Sequence, residues 1–235
     1  MPIKKPLADL IRPKDLSQFV GQKDLIEEGR PLYQIIKKHV PISLLLWGPP
    51  GTGKTSLAQI IAREFDYPLA TFNASIDNKA KLTQIINTYP YQSFVLLIDE
   101  IHRMTTTLQD FLLPYLENGR ILLIGATTEN PFFEVNRPLL SRLRLITLEA
   151  LTPKAISQIL KRAITDTEVG LGSRQLQVKD ELLEDIGIFV NGDGRMALNI
   201  LEQVAAMVHD GEEITIEILE KVIGRRIYTY DKKGD

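Results

Sequence analysis

Short apolar runs alternate along the first two thirds of the chain with longer stretches of helical periodicity. The runs lie at 43–47, 69–72, 94–98, 121–126 and 145–148, and the helical stretches at 22–39, 55–65, 79–88 and 105–117. Phe94 to Ile98 is apolar at every position, as a parallel strand buried on both faces requires. This alternation predicts an α/β fold with a five-stranded parallel sheet covered by helices on both faces. Such sheets bind ligands at the carboxyl ends of their strands. The rhythm changes near Leu151-Thr152-Pro153, where Thr152 has the chemistry of an N-cap and Pro153 suits the first helical position. Helices are then expected over 153–167, 179–189, 194–209 and 215–224, punctuated by Gly170, Gly172, Asn191-Gly192-Asp193-Gly194 and Asp210-Gly211. The reading is an α/β domain over 1–152 followed by a small all-helical domain over 153–235. The apolar Ile227-Tyr228-Thr229-Tyr230 near the C-terminus is expected to lead toward a further domain.

Between the first run and the helical stretch that follows it stands Gly48-Pro49-Pro50-Gly51-Thr52-Gly53-Lys54-Thr55-Ser56. This is a phosphate loop with strand before and helix after. Its glycines let backbone N–H groups converge, and the helix N-terminus adds unpaired donors and a positive dipole end. Pro50, Gly51, Thr52, Gly53, Lys54, Thr55 and Ser56 are therefore the expected nucleotide cradle. In it Lys54 reaches the outer phosphates and the Thr55 hydroxyl ligates Mg²⁺. The apolar run 94–98 ends in Asp99-Glu100, roughly 45 residues downstream of the loop. Two acids closing a buried strand are costly unless a site uses them. Asp99 is assigned to Mg²⁺ and Glu100 to polarising the attacking water. ATP and Mg²⁺ are the expected cofactors, and the reaction is ATP hydrolysis.

Composition narrows the setting. The chain has 235 residues, 44% hydrophobic and 25% charged, with no cysteine. Disulfides and Cys-ligated zinc are excluded, and a reducing, cytoplasmic setting fits. No apolar run approaches the ~20 residues of a membrane span, and the start lacks an apolar signal core. Residues 1–152 carry 17 basic and 15 acidic side chains, leaving 11 and 15 for the remainder. Nucleic-acid binding would then rest on a local patch or an assembled ring. His102 reads as a helix-start hydrogen-bonding residue. Trp47, Tyr89, Tyr91, Phe132 and Phe133 read as packing and loop anchors rather than a base-stacking platform. Lys37-Lys38 and Lys79 with Lys81 read as solvated faces.

A phosphate-loop domain followed by a helical domain resembles the AAA+ ATPases, and four further segments carry the likeness. Ile11-Arg12-Pro13 and Phe19-Val20-Gly21-Gln22 look like the segment that packs on the adenine, which assigns Ile11, Arg12, Val20 and Gly21 to the nucleotide. Ile121 to Asn130 looks like the sensor-1 strand, with Thr128 at its tip. Leu140-Ser141-Arg142 looks like the arginine-finger motif, with Arg144 as the fallback. Gly192 to Asn199 looks like sensor 2, which assigns Arg195 to both nucleotide contact and catalysis. Arg142 would act in a neighbouring subunit, where a planar, always-charged fork is suited to transition-state charge.

Asp99-Glu100-Ile101-His102-Arg103, Gly125-Ala126-Thr127-Thr128-Glu129-Asn130-Pro131 and Phe133-Glu134-Val135-Asn136 narrow the likeness to the RarA/MgsA family, relatives of the Werner-helicase-interacting ATPase. That resemblance spans essentially the whole chain. It implies a DNA-dependent ATPase at stalled forks, gaps or primer-template ends, serving replication and recombination in the cytoplasm on the nucleoid. It further implies a tetramer built by a C-terminal domain outside this sequence, and partners such as single-strand-binding protein. Met104, Thr105-Thr106, Leu143 and Met196 depart from the family's usual residues without removing a catalytic group. Three alternatives stand beside it. A clamp-loader motor is disfavoured by the absence of cysteine. A RuvB-like motor is disfavoured because about 27 residues between Glu100 and Thr128 leave little room for a long hairpin. A nucleotide-switched scaffold is disfavoured by the intact Glu100.

Overall fold

The computed structural model describes residues 5–224, so the expectation for 227–230 lies outside the described residues. The chain forms two compact units: Pro13–Glu149, and Met1–Arg12 together with Ala150–Asp235. Residues 5–12, expected within the α/β domain, thus group with the helical part. Leu7 N donates to Glu202 Oε1 at 3.2 Å, and Arg162 donates to the Ile11 carbonyl. Local pattern carries no trace of these pairings, which span 195 and 151 residues.

In the α/β unit five strands form one sheet: β1 (Leu44–Trp47), β2 (Leu69–Asn73), β3 (Phe94–Asp99), β4 (Ile121–Thr127) and β5 (Arg144–Thr147). Their order is β2-β3-β4-β1-β5, and every pair is parallel. The two-residue period of a strand divides the core. Leu44, Leu46, Val95 and Leu97 join Leu57, Ile60 and Ile61 of the helix Lys54–Glu64 on one face. Leu45, Phe94, Leu96 and Ile98 join Leu82, Ile86 and Leu112 of the helices Lys79–Thr88 and Thr106–Glu117 on the other. The stretch expected to be helical over 22–39 is broken into Lys23–Ile26 and Pro31–Lys37. Arg30 is extended because the ring of Pro31 disfavours helical geometry in the residue before it.

The other unit contains the helices Leu7–Leu10, Pro153–Thr165, Asp180–Phe189, Gly194–Ala206 and Ile216–Ile223. Thr152 Oγ1 accepts from Ala155 N at 3.2 Å, and Pro153 opens the helix, as the sequence predicts. Beside the helices runs a short parallel pair, Gln177–Val178 with Glu213–Ile214.

Candidate functional site

The phosphate loop follows β1 and closes into the helix Lys54–Glu64. Two of its glycines are required by space. A Cβ on Gly48 would lie 2.3 Å from the Leu148 carbonyl oxygen. One on Gly53 would lie 2.9 Å from the Phe19 ring, and Gly53 also has φ +97°, a conformation only glycine adopts without strain. Gly48 N donates to the Thr127 carbonyl at 3.3 Å, which ties the loop to the end of β4. Thr52 is buried and its Oγ1 donates to the Pro49 carbonyl at 2.9 Å, bracing the turn from within. Lys54 Nζ donates to the carbonyls of Gly48 and Pro49, at 2.7 Å each, so the ammonium is folded over the loop that a phosphate would enter. The glycine cradle, the helix N-terminus and this lysine fit a nucleoside triphosphate.

Asp99 ends β3 and Glu100 follows it, and β4 lies between that strand and β1. Two strand spacings place the acids about 10 Å across the sheet from the loop. Asp99 Oδ1 accepts from Glu100 N at 3.1 Å. Glu100 takes φ +53°, in the left-handed region, where a non-glycine residue stores about 1–3 kcal/mol of strain. Its carboxylate accepts from Ser75 Oγ and pairs with Arg103 Nε at 3.3 Å. The Ser75 bond foremost, then the charges of Arg103 and His102, hold it below the ordinary glutamate range. Among the described residues no group of three His, Cys, Asp or Glu is placed to hold a metal. A Mg²⁺ here would rest on Thr55, Asp99 and phosphate oxygens, the usual sparse protein contribution to that ion.

Thr128, given the sensor role by resemblance, is exposed just past β4, while Thr127 is the buried one. Thr127 Oγ1 accepts from Glu129 N at 3.0 Å and lies at the same distance from His102 Nδ1. His102 therefore has the hydrogen-bonding role expected of it. Arg142 follows the short helix Arg137–Leu140, immediately before β5. Arg144 is level with Leu44, at the amino ends of the parallel strands, whereas the phosphate loop leaves the carboxyl end of β1. Arg142 and its own phosphate loop thus occupy opposite ends of the sheet. Its guanidinium donates to the Pro138 carbonyl at 2.7 Å and pairs with Glu117.

A family profile described as the Holliday junction DNA helicase RuvB P-loop domain matches residues 11–132, and one described as an AAA C-terminal domain matches 172–235. Replication-associated recombination protein A of Haemophilus influenzae is 40% identical across 98% of this chain and 53% of its own length. The Escherichia coli K12 protein of the same name is also 40% identical, across 98% and 54%.

The chain belongs to the RarA branch of the AAA+ ATPases.

ATPase WRNIP1 of Dictyostelium discoideum is 37% identical across 84% of this AAA+ chain and 23% of its own length. Among solved structures, the Thermotoga maritima RuvB Holliday junction branch migration motor superposes with a TM-score of 0.75 at 28% identity, covering 92% of this chain and 72% of that one. The chain spans about half the length of the bacterial curated relatives it matches.

The residues expected at the adenine divide between the two units. Phe19, buried against Gly53, brings Val20 and Gly21 beside the phosphate loop, and Gln22 exchanges two hydrogen bonds with the backbone of Glu149 at 2.7 and 3.0 Å. Ile11 and Arg12 belong to the helical unit, where Arg12 pairs with Asp9 at 2.5 Å. Arg195 also belongs to that unit, exposed in the first turn of Gly194–Ala206, whose N-cap Asp193 accepts from Met196 N. Sequence reasoning missed Ser75 as a site residue and gave Phe19 no role against Gly53. An exposed serine in a short loop gives no signal by itself. The aromatic expectation holds for Tyr89, stacked 4.6 Å from Phe94, and fails for Tyr91, Phe132 and Phe133, which are exposed. These three sit on turns and a one-turn helix, outside the strands and longer helices that make the core. Lys79 is exposed, as expected of a solvated face, and its Nζ lies 4.9 Å from the centroid of the Phe111 ring.

Proposed function

We propose that the chain is a Mg²⁺-dependent ATPase stimulated by DNA, working at forks, gaps or primer-template ends in replication and recombination. The observation that carries this reading is the division of one sheet: phosphate loop and Asp99-Glu100 at the carboxyl ends of its strands, Arg142 at the amino ends. The first set is a hydrolytic half-site. An arginine at the far end is useless to that half-site and suited to another copy's.

On nucleotide entry Lys54 Nζ exchanges the Gly48 and Pro49 carbonyls for phosphate oxygens, at little net loss of hydrogen bonding. Thr55 and Asp99 hold Mg²⁺, which when bound offsets phosphate charge. Glu100, kept ionised, orients the attacking water, and Thr128 aligns it from just past the strand between. Arg142 of a neighbouring copy meets the charge that develops as the terminal phosphoryl leaves. Family resemblance assigns Val20, Gly21, Ile11 and Arg12 to the base, and Arg195 to the nucleotide and its hydrolysis. The assembly is a homo-oligomer, a tetramer by family resemblance, acting in the cytoplasm with single-strand-binding protein and other replication proteins. The likeness to replication-associated recombination protein A of bacteria and to the RuvB Holliday junction branch migration motor supports the nucleic-acid setting. Between Glu100 and Thr128 the chain forms the turn Ile101–Arg103, the helix Thr106–Glu117 and β4, with no hairpin of the kind expected in a RuvB-like motor.

The test is ATP turnover with and without forked or gapped DNA, for the chain and for Glu100→Gln and Arg142→Ala. Hydrolysis stimulated by DNA and lost in both variants supports the reading. Tight ATP binding with negligible turnover, indifferent to DNA, replaces it with a nucleotide-switched scaffold.

A further inference from the structure

Gln109 is one of the few polar side chains buried among the described residues, and its amide is fully used. It lies one turn into the helix Thr106–Glu117. Nε2 donates to the carbonyls of Met104 and Glu134, both at 3.1 Å, and Oε1 accepts from Asn136 N at 2.7 Å. These backbone groups belong to two segments that the catalytic reading keeps apart. Met104 closes the turn Ile101–Arg103, which Glu100 begins. Glu134 and Asn136 lie on the connection from β4 to the helix Arg137–Leu140, which ends two residues before Arg142. The next residue reinforces the second link: Asn136 Nδ2 donates to Asp110 Oδ1 at 2.8 Å, while Asn136 Oδ1 accepts from Leu139 N at 2.9 Å. At its far end the same helix supplies Glu117, the partner of Arg142.

We propose that Gln109 is a positioning residue for two half-sites at once, setting Glu100 in its own chain's site and Arg142 in the site of a neighbouring copy. This rests on the reading of Arg142 as an arginine that acts in trans. The physical reason is geometric. A buried amide held by three partners has no rotational freedom, so the turn behind Glu100 and the helix before Arg142 share one reference frame. A displacement of about 1 Å in a catalytic group costs on the order of a hundredfold in rate. The sequence contains nothing to set Gln109 apart from any other helical glutamine.

The experiment mixes two chains in the assembled protein. One carries Arg142→Ala, with its own site intact and no arginine to offer. The other carries Glu100→Gln, with its own site silenced and Arg142 present. Turnover in the mixture arises only where the two meet. Gln109→Met, which keeps the volume and removes all three bonds, is then added to the Glu100→Gln chain alone. Gln109→Glu, which keeps the shape and the acceptor for Asn136 N but has no Nε2 donor, is run beside it in case the first variant folds poorly. The expected result is a loss of turnover of about tenfold or more, with the KM for ATP within about twofold. Unchanged turnover overturns the proposal, because Gln109 then serves its own site only. Loss of nucleotide affinity or of the thermal transition in step with turnover also overturns it, because Gln109 then merely holds the fold. A mixture inactive before Gln109 is touched removes the trans reading, and the proposal with it, and is recognised as that distinct failure.

Discussion

Ser75 Oγ donates to Glu100 Oε2, and this bond fastens the loop after β2 to the acid that begins the turn after β3. It is the leading cause of the depressed Glu100 pKa, ahead of Arg103 and His102. Removing the hydroxyl in Ser75→Ala is expected to move the Glu100 titration upward, toward the ordinary glutamate range. Carboxyl-detected NMR titration of the chain against the variant reads this directly, and coincident midpoints would show that the bond does not govern the charge. The sign for stability follows. A depressed folded pKa adds stability above the unfolded value that is lost as pH falls through the folded one. The effect is small, because the side chain is 45% exposed.

Gly53 has two independent reasons to be glycine, and they separate experimentally. In Gly53→Ala the new Cβ meets the Phe19 ring, and the positive φ becomes strained by about 1–2 kcal/mol. Shortening the ring in a Phe19→Leu, Gly53→Ala double variant removes the first cost and leaves the second. Fluorescent-nucleotide affinity is expected to fall steeply in the single variant and recover only in part in the double. Full recovery would mean that the backbone angle is not needed to shape the cradle.

Arg142 is expected to tolerate no basic substitute. Arg142→Ala should lower turnover by about 10³- to 10⁵-fold, with ATP affinity retained, as for arginine fingers generally. Arg142→Lys should stay close to the alanine variant, because an ammonium cannot present a planar fork. Steady-state turnover beside equilibrium nucleotide binding decides it. A lysine variant near the parent rate would make the role one of bulk charge.

Asp185, in the helix Asp180–Phe189, has a pKa raised by burial first, then by the charges of Glu184 and Glu181. The folded state therefore holds a proton that the unfolded chain releases, and stability falls as pH rises from the unfolded value through the raised one. Asp185→Asn should raise the melting temperature at neutral pH and flatten its dependence on pH across that window. Thermal melts across acidic to neutral pH check both, and an unchanged or lower melting temperature at neutral pH would contradict the sign.

All five strands, the phosphate loop, the Asp99-Glu100 pair and the capped start at Thr152-Pro153 were readable in the chain. Each is a local signal: an apolar run, a glycine spacing, two acids closing a buried strand, a cap beside a proline. The break between Lys23–Ile26 and Pro31–Lys37 was also written locally, in the residue before Pro31, and a reading by periodicity alone passes over it.

Other features were decided in space. The grouping of residues 5–12 with the helical unit depends on Glu202 and Arg162, far along the chain. Ser75 reaches Glu100 because β2 and β3 are neighbours, with Asn73 level with Asp99. Gln109 acquires meaning only when three backbone groups of two other segments converge on it. The sequence by itself determined the five strands, the phosphate loop and the family, because periodicity and motif are properties of neighbouring residues. Strand order, the opposition of Arg142 to its own phosphate loop and the pairing of Ser75 with Glu100 were decided only by the tertiary structure, because they depend on which distant segments share a sheet edge and what the core leaves room for.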